Sequence, residues 1–232
     1  MKYLKLTLIS LIAATFAFTA CGGGGGGETG PHAGDTKTYT ADDVSFVMVY
    51  VPGGLTSPTG VNDDGTATVA NAYWIGETEV TFELWYKVRT WALLKGYTFQ
   101  NNGLEGNSGT PGDPPTGNKD HPVTKMNWRD CIVWCNALTE WYNEQNGTSY
   151  ECVYTHSGEI LRDSRGEDND VTPCDEAVVS STAKGFRLLT SDEWELAARY
   201  RKGNQWTYGD HVSGDDSGVT ATYNQATTPL AV

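Results

Sequence analysis

The sequence predicts an α+β domain with long irregular loops, and three observations lead to this prediction. Short β-rich runs are interspersed with amphipathic helical patterns along the chain. Stretches of Gly, Pro, Asn and Thr separate these elements, and residues 96–120 form the longest of them. The 232 residues include 27 Gly with 8 Trp and 12 Tyr, a composition typical of irregular loops held between bulky side chains. This length fits one large domain, or a domain with a tail.

The first twenty residues have the composition of an export signal. Lys2 and Lys5 supply positive charge, and the apolar run that follows ends in small residues. Cys21 comes next, in the context FTAC, which resembles a bacterial lipoprotein signal in which the Cys is lipidated and becomes the mature N-terminus. Phe18 stands where that signal usually has Leu. The alternative is an ordinary secretory signal cleaved nearby.

These features give a prediction for the domain organisation. We expect a lipoprotein signal peptide at 1–20, and a lipidated Cys21 with a Gly-rich flexible linker at 21–43. The folded domain is expected at 44–232. The formal net charge of −13 disfavours binding to nucleic acid or anionic lipid surfaces, and it suits export and divalent cations.

The first half of the domain contains two predicted strands and one helix. The run 46–51 is β-rich and is ended by Pro-Gly-Gly, after which residues 57–65 are expected to form a loop. A second strand is predicted at 72–80. Thr81 is a good N-cap for a helix that runs to about Leu94.

A second helix is predicted at 128–145, capped by Asn127 and ended by Gly147. Its apolar face is formed by Trp128, Cys131, Ile132, Cys135, Leu138 and Tyr142. Two short strands are expected near 150–155 and 159–162, followed by an acidic irregular stretch.

The run GFRLLTSDEWELAARYR, residues 185–201, predicts a short strand followed directly by a helix. Thr190 and Glu193 have the spacing of a capping box, in which each side chain bonds the other residue's backbone amide. Trp194, Ala197 and Ala198 recur at helical spacing, and Gly203 is expected to end the helix.

Apart from Cys21, the chain has four cysteines: Cys131, Cys135, Cys152 and Cys174. In an exported protein, an even number is compatible with two disulfides, in three connectivities. Cys131 and Cys135 lie one helical turn apart, so each is expected to reach another element rather than the other cysteine. A metal site and reduced core thiols are the alternatives.

Several segments together resemble the formylglycine-generating enzyme family, also called sulfatase-modifying factor. The matches occur in the family's order: MVYVPGG (48–54), WIGETEVTFELW (74–85), HPVTKMNWRDCIVWCNAL (121–138), GFRLLTSDEWELAAR (185–199) and YGD (208–210). Leu189 departs from the family motif, which has Pro at that position. The resemblance implies a C-type-lectin-like α+β fold, with a small antiparallel sheet, two main helices and long irregular loops, incomplete here at the C-terminus.

The resemblance also has implications for chemistry. Active members oxidise a substrate cysteine to formylglycine with two cysteines and a copper ion, and those cysteines lie beyond the matched segments. None of the cysteines of this chain matches them, so copper is expected only if a further C-terminal half carries them. Calcium is the metal that the resemblance implies here, with Asn224 and Gln225 at the start of its loop. The chain is therefore expected to be a fragment or a truncated member.

Two functional hypotheses remain. The first is a ligand-binding lipoprotein of the bacterial cell envelope, facing the periplasm or the exterior, similar to the variable surface lipoproteins of diversity-generating retroelements. Its partner is expected to be a protein or a glycan. The second is a fragment of an oxidase that modifies a cysteine of a sulfatase-like substrate. The sequence favours binding, because His32, His121, His156 and His211 are scattered without partner motifs, so no residue is predicted to be catalytic.

Overall fold

The computed structural model describes residues 12–14, 30–60, 64–167, 170–201 and 205–206, with the backbone alone at 12–14, 201 and 205–206. The chain divides into two compact units. The first comprises 1–50 and 74–188, and the second comprises 51–73 and 189–232.

The described residues form three helices and fourteen short strands. The helices are α1 (Phe82–Leu93), α2 (Trp128–Asn146) and α3 (Ser191–Arg199). The first seven strands are β1 (Ile12–Ala14), β2 (Thr36–Ala41), β3 (Val44–Val51), β4 (Leu55–Thr59), β5 (Gly65–Val69), β6 (Tyr73–Gly76) and β7 (Leu104–Glu105). The others are β8 (Val123–Thr124), β9 (Tyr154–His156), β10 (Glu159–Ile160), β11 (Val178–Val179), β12 (Phe186–Leu188), β13 (Tyr200–Arg201) and β14 (Gln205–Trp206).

The main sheet of the first unit has the strand order β12-β1-β6-β3-β2. Strand β2 pairs with β3 in an antiparallel register that runs from Thr36↔Val49 to Ala41↔Val44. Tyr39 of β2 is completely buried. The prediction of a linker at 21–43 is therefore wrong for 36–41, which form a strand of the main sheet ahead of the expected domain start at Val44. The polar character of TKTYTA hid a strand that buries only its alternate residues.

Strand β1 lies inside this sheet, between β12 and β6. Its residues, Ile12–Ala14, belong to the predicted signal peptide, for which the sequence predicted no strand. Strand β6 covers Tyr73–Gly76, about half of the predicted strand 72–80.

The helices α1 and α2 provide the core that packs on the sheet, and both match their predictions. The Thr81 hydroxyl accepts from Leu84 N at 3.3 Å, and Gly147 ends α2 in the left-handed conformation with φ 64°. Trp85 of α1 stacks on Trp134 of α2, with ring centroids 5.3 Å apart. This stack buries two large aromatic rings where α1 packs on α2, and such pairs contribute more than their buried area alone.

Two smaller sheets complete the first unit. Strand β9 lies between β10 and β11, and β7 pairs with β8. The structure therefore confirms strands near 150–155 and 159–162, but each is shorter than predicted.

The second unit contains the β4–β5 hairpin, α3 and the β13–β14 pair. Strands β4 and β5 include residues 57–59 and 65 of the loop predicted at 57–65. The Thr190 and Glu193 capping box is confirmed, with Glu193 N donating to Thr190 Oγ1 at 3.2 Å. The helix ends at Arg199 rather than near Gly203, because Tyr200 is extended and starts β13. No helix in the described ranges is long and apolar enough to span a membrane.

Candidate functional site

The four cysteines, Cys131, Cys135, Cys152 and Cys174, lie in the first unit, and all four are buried. No disulfide joins two of these four cysteines in the described part of the chain, and the disulfides suggested by the sequence stay a prediction. Cys152 Sγ donates to Asn136 O at 3.6 Å, and Cys174 Sγ donates to Asp163 O at 3.3 Å. Each of these two thiols therefore has a backbone acceptor as partner rather than another sulfur.

Burial also determines the chemistry of these thiols. It raises the pKa of the Cys152 thiol to about 12 and that of Cys174 to about 11, and it raises the pKa of Cys135 well above its ordinary value. The thiolate is the form that reacts or binds a metal, so these groups are inert at neutral pH. In the described part of the structure, no three His, Cys, Asp or Glu side chains lie close enough together to hold a metal ion. These cysteines do not fit a copper centre.

The buried polar face of α2 connects the helix to the neighbouring strands. Asn136 Nδ2 donates to Tyr154 O at 2.7 Å and to Leu161 O at 3.0 Å, while its Oδ1 accepts from Tyr154 N at 3.1 Å. Asn136 is completely buried, so these bonds satisfy its amide and fix β9 and the residue after β10.

Thr139 has the same role for β12. Its hydroxyl accepts from Phe186 N at 2.9 Å and donates to Cys135 O at 2.9 Å. Gly185 explains the start of the GFRLL motif, because a Cβ there would lie 2.4 Å from Glu151 O and 2.8 Å from Thr139 Oγ1 of α2. Only glycine lets the chain approach α2 this closely.

Asp130 is the most heavily hydrogen-bonded side chain of α2. Its carboxylate accepts from Asn127 N at 3.0 Å and from Gln100 N at 3.0 Å, and it also binds Asn101 Nδ2 at 2.7 Å and Ser164 Oγ at 2.5 Å. The sequence predicts Asn127 as the cap but does not single out Asp130, because its other donors come from distant parts of the chain. Asp130 thus anchors the start of the long loop.

A groove of about 190 Å³ lies in the first unit, between β3 and the connection from β6 to α1. It is lined by residues 45–48, 76–81 and Leu84, with Glu77 and Glu79 among them. This volume is below the 300–1,000 Å³ or so of drug-sized ligand pockets, so the groove fits a single side chain or a small ligand.

Two tryptophans are exposed among the side chains that the structure describes, and the prediction that Trp128 lies on the apolar face of its helix is wrong. Trp128 at the start of α2 is 43% exposed, and Trp194 on α3 is 53% exposed. The helical spacing of Trp194, Ala197 and Ala198 predicts that these residues pack on the core. In the structure, the buried apolar residue of α3 is Leu196. Exposed tryptophans are typical anchors at recognition surfaces.

The charged residues of the α3 motif are paired within the second unit. Glu195 Oε1 lies 2.8 Å from Arg199 Nη2, and it accepts from Gly60 N at 3.1 Å. Arg199 also donates to Gly60 O at 2.5 Å. Glu195 and Arg199 therefore have a structural role, because both charges hold the β4–β5 hairpin.

Several predicted residues lie outside the described part of the chain, namely Cys21, His211, Asn224, Gln225 and the YGD segment 208–210. His32 Nδ1 lies 3.6 Å from Asp35, and His156 Nδ1 lies 4.0 Å from Glu176, both near the surface.

Comparison with known proteins identifies the family. The model of the sulfatase-modifying factor enzyme 1-like domain (FGE-sulfatase) matches residues 35–229. The chain belongs to this family. The match begins one residue before β2, so it includes this strand, which the sequence had predicted as linker.

Similar proteins support the same conclusion for the fold. "Chaperone protein LppX" of Paenibacillus barcinonensis is 28% identical over 217 residues, which are 91% of this chain and 61% of that protein. Among solved structures, CarF has a TM-score of 0.55 and 26% identity, covering 76% of this chain and 64% of CarF. Treponema denticola variable protein 1 has a TM-score of 0.53 and 31% identity, covering 79% of this chain and 61% of that protein. The chain therefore spans less than two thirds of the length of each.

Proposed function

We propose that this member of the sulfatase-modifying factor family is a ligand-binding lipoprotein of the cell envelope, anchored through Cys21, and that it does not oxidise cysteine. The observation that carries the proposal is the state of the four described thiols. All are buried, and burial raises the pKa of Cys135, Cys152 and Cys174, so these three thiols are poorly suited to act as reactive thiolates.

Two of the similar proteins favour binding over oxidation. Treponema denticola variable protein 1 has a name that denotes sequence variation rather than an enzymatic activity, and it shares 31% identity with this chain. The Paenibacillus relative is named a chaperone, and chaperones act on polypeptides. A protein ligand therefore has somewhat more support than a glycan.

The competing oxidase function is tested with the protein produced from its full reading frame. The protein is loaded with Cu(I) and incubated in air with a cysteine-containing sulfatase peptide, and an aldehyde-reactive hydrazide reports formylglycine. We expect no aldehyde above a copper-only control. Aldehyde formation in proportion to enzyme would establish the oxidase instead.

Binding is tested on arrays of glycans and peptides with the labelled protein. We expect signals that weaken on Trp128→Ala or Trp194→Ala. Leu94→Ala is a matched control, because Leu94 is 83% exposed and not aromatic. If the signals are unchanged in both Trp variants, neither Trp128 nor Trp194 takes part in recognition.

The anchoring is tested by fractionation. Cys21→Ala is expected to prevent incorporation of labelled fatty acid and to release the protein from the membrane fraction. Retention of the label in Cys21→Ala would place the lipid elsewhere.

A further inference from the structure

The groove between β3 and the connection from β6 to α1 combines apolar and acidic residues. Its buried apolar part includes Met48, Val80 and Leu84, which are 0%, 7% and 3% exposed. The charged residues of its lining are two carboxylates, the exposed Glu77 and the half-buried Glu79. The groove therefore suits a group that has an apolar stem and a positive charge at its end.

The two carboxylates of the groove differ from a neighbouring acidic residue in their ion pairing. Glu83, in the first turn of α1, has Lys119 Nζ 2.9 Å from its carboxylate. No Lys, Arg or His among the described side chains forms an ion pair with Glu77 or Glu79. Because a cleft lined by charges of one sign attracts ions of the opposite sign, this part of the surface favours a cation.

Main-chain hydrogen bonds hold both sides of the groove in place. Glu77 N donates to Val47 O at 3.0 Å, which joins the connection to β3. Val123 N donates to Val80 O at 2.9 Å, which joins the other end of the connection to β8. The groove is therefore formed before a ligand binds, so less conformational entropy is lost on binding.

We propose that this groove is a docking site for a Lys or Arg side chain of a partner polypeptide. These side chains bury an aliphatic stem against apolar surface and keep the charged group at a polar edge. In the groove, the stem contacts Met48, Val80 and Leu84, and the cation lies beside Glu77 and Glu79. The volume of about 190 Å³ admits one such side chain and excludes a folded element.

The choice of a polypeptide partner rests on the proposed function, in which a protein ligand has more support than a glycan. A free diamine has a similar stem and charge, so it is the competing ligand. The lining of the groove does not include Trp128 or Trp194, so binding at the groove and binding at the tryptophans can fail independently.

The test uses protein from the full reading frame, labelled with ¹³C at the methionine methyl groups. Met48 lines the groove, whereas Met126 lines a different and smaller cavity and serves as the internal reference. Their NMR signals are assigned with Met48→Leu and Met126→Leu. The ligands are end-blocked Gly-Ser-Gly-Lys-Gly-Ser-Gly and the same peptide with Arg at its centre. We expect both peptides to shift the Met48 signal saturably.

Two comparisons separate the stem from the charge. A peptide with norleucine in place of Lys keeps the stem and loses the charge, so it should bind at least threefold more weakly. The double variant Glu77→Gln with Glu79→Gln should weaken binding of the Lys peptide by a similar factor. Glu151→Gln with Glu159→Gln is the matched control, because it removes the same charge from two exposed positions of the first unit and should leave the affinity unchanged.

Four results would overturn the proposal. The first is the lack of a saturable Met48 shift with either peptide, which is also the result expected if another part of this chain fills the groove. The second is equal affinity of the Lys and norleucine peptides. The third is an equal loss of affinity in the two double variants, which would mean that the peptide is attracted by the overall charge. The fourth is tighter binding of 1,5-diaminopentane than of the Lys peptide, which would make the groove a site for a free amine.

Discussion

Arg162 and Glu140 form a two-point ion pair, with Arg162 Nη1 2.6 Å from Glu140 Oε2 and Nη2 2.5 Å from Oε1. The Tyr97 hydroxyl donates to the same Glu140 Oε2 at 2.6 Å, and the Arg162 guanidinium lies 4.6 Å from the centre of the Tyr97 ring. Three segments far apart in sequence therefore meet at one carboxylate. Such parallel bonds between charged groups are stronger than bonds between neutral groups.

Glu140→Gln should lower the free energy of unfolding of the first unit by about 2 kcal/mol, since it removes charged hydrogen bonds that are partly shielded from water. Urea unfolding at pH 7 measures this change. Glu144→Gln is the matched control one turn later in α2, where the Lys95–Glu144 pair is more exposed and screened. If Glu144→Gln lowers the free energy of unfolding as much as Glu140→Gln does, the two-point geometry adds no stability over an exposed ion pair.

Asp130→Asn should be more damaging, because an amide NH₂ would then face the backbone and side-chain donors that now bind a carboxylate. Asp130 is completely buried, and leaving its partners unsatisfied should lower the free energy of unfolding by about 3 kcal/mol. Faster hydrogen exchange at Gln100 and Asn101 would show that the start of the long loop has loosened. Asp120→Asn, at an exposed position, should leave both measurements unchanged. Unchanged exchange at these two amides in Asp130→Asn would contradict the anchoring role.

The main helices could be predicted because their signals are local. Thr81 and Asn127 are N-caps, Gly147 is a C-terminal glycine, and the apolar residues between them follow the helical period. The family motifs extended this to the fold class, which the structure and the comparisons confirm.

The missed features depend on distant residues. Strand β2 has a polar sequence, and its position is fixed by pairing with β3 rather than by its own hydrophobicity. The β4–β5 hairpin contains Pro58 and lies in a polar part of the sequence, and these two features led to the prediction of a loop. The partners of Asp130 and Glu140 lie some tens of residues away, for example Ser164 and Arg162, so no spacing rule could identify them.

The stability of the first unit should change with pH through Asp163. The Arg165 side chain, which hydrogen-bonds this carboxyl, lowers the pKa of Asp163 to about 2. A folded-state pKa below the unfolded value contributes stability above the unfolded pKa, and the contribution is lost as pH falls through the folded pKa. Between about pH 4 and pH 2, the urea midpoint of Asp163→Asn should therefore decline less steeply than that of the unsubstituted protein.

Other carboxyls also titrate in this range, so the informative quantity is the difference between the two proteins. Asp113→Asn provides a control for the removal of one negative charge from an exposed loop. Identical slopes for Asp163→Asn and the unsubstituted protein would mean that the Arg165 contact does not survive in solution.

Calcium binding by Asn224 and Gln225 stays a prediction. The two residues can be compared, because one would bind through its side chain and the other through its backbone carbonyl. The resemblance assigns Asn224 a ligand oxygen followed by a backbone carbonyl at Gln225. In protein from the full reading frame, Asn224→Ala should weaken calcium binding at least tenfold by calorimetry, because the site loses a ligand. Gln225→Ala keeps its carbonyl and should bind calcium normally. Equal calcium affinities of the unsubstituted protein and Asn224→Ala would remove the site.

The cysteines provide the test that separates a reduced core from a disulfide-bonded one. With the pKa of Cys174 at about 11 and that of Cys152 at about 12, their thiolate fractions at pH 8 are roughly a hundredfold or more below those of ordinary cysteines. Iodoacetamide should therefore modify the native thiols very slowly, and mass spectrometry should show four labels within 131–174 after unfolding without reductant. If the four labels appear only after a reductant is added, the cysteines form disulfides. Fast labelling of the native protein would instead show that these thiols are accessible and ionised, which would remove the main argument against reactive cysteines in this scaffold.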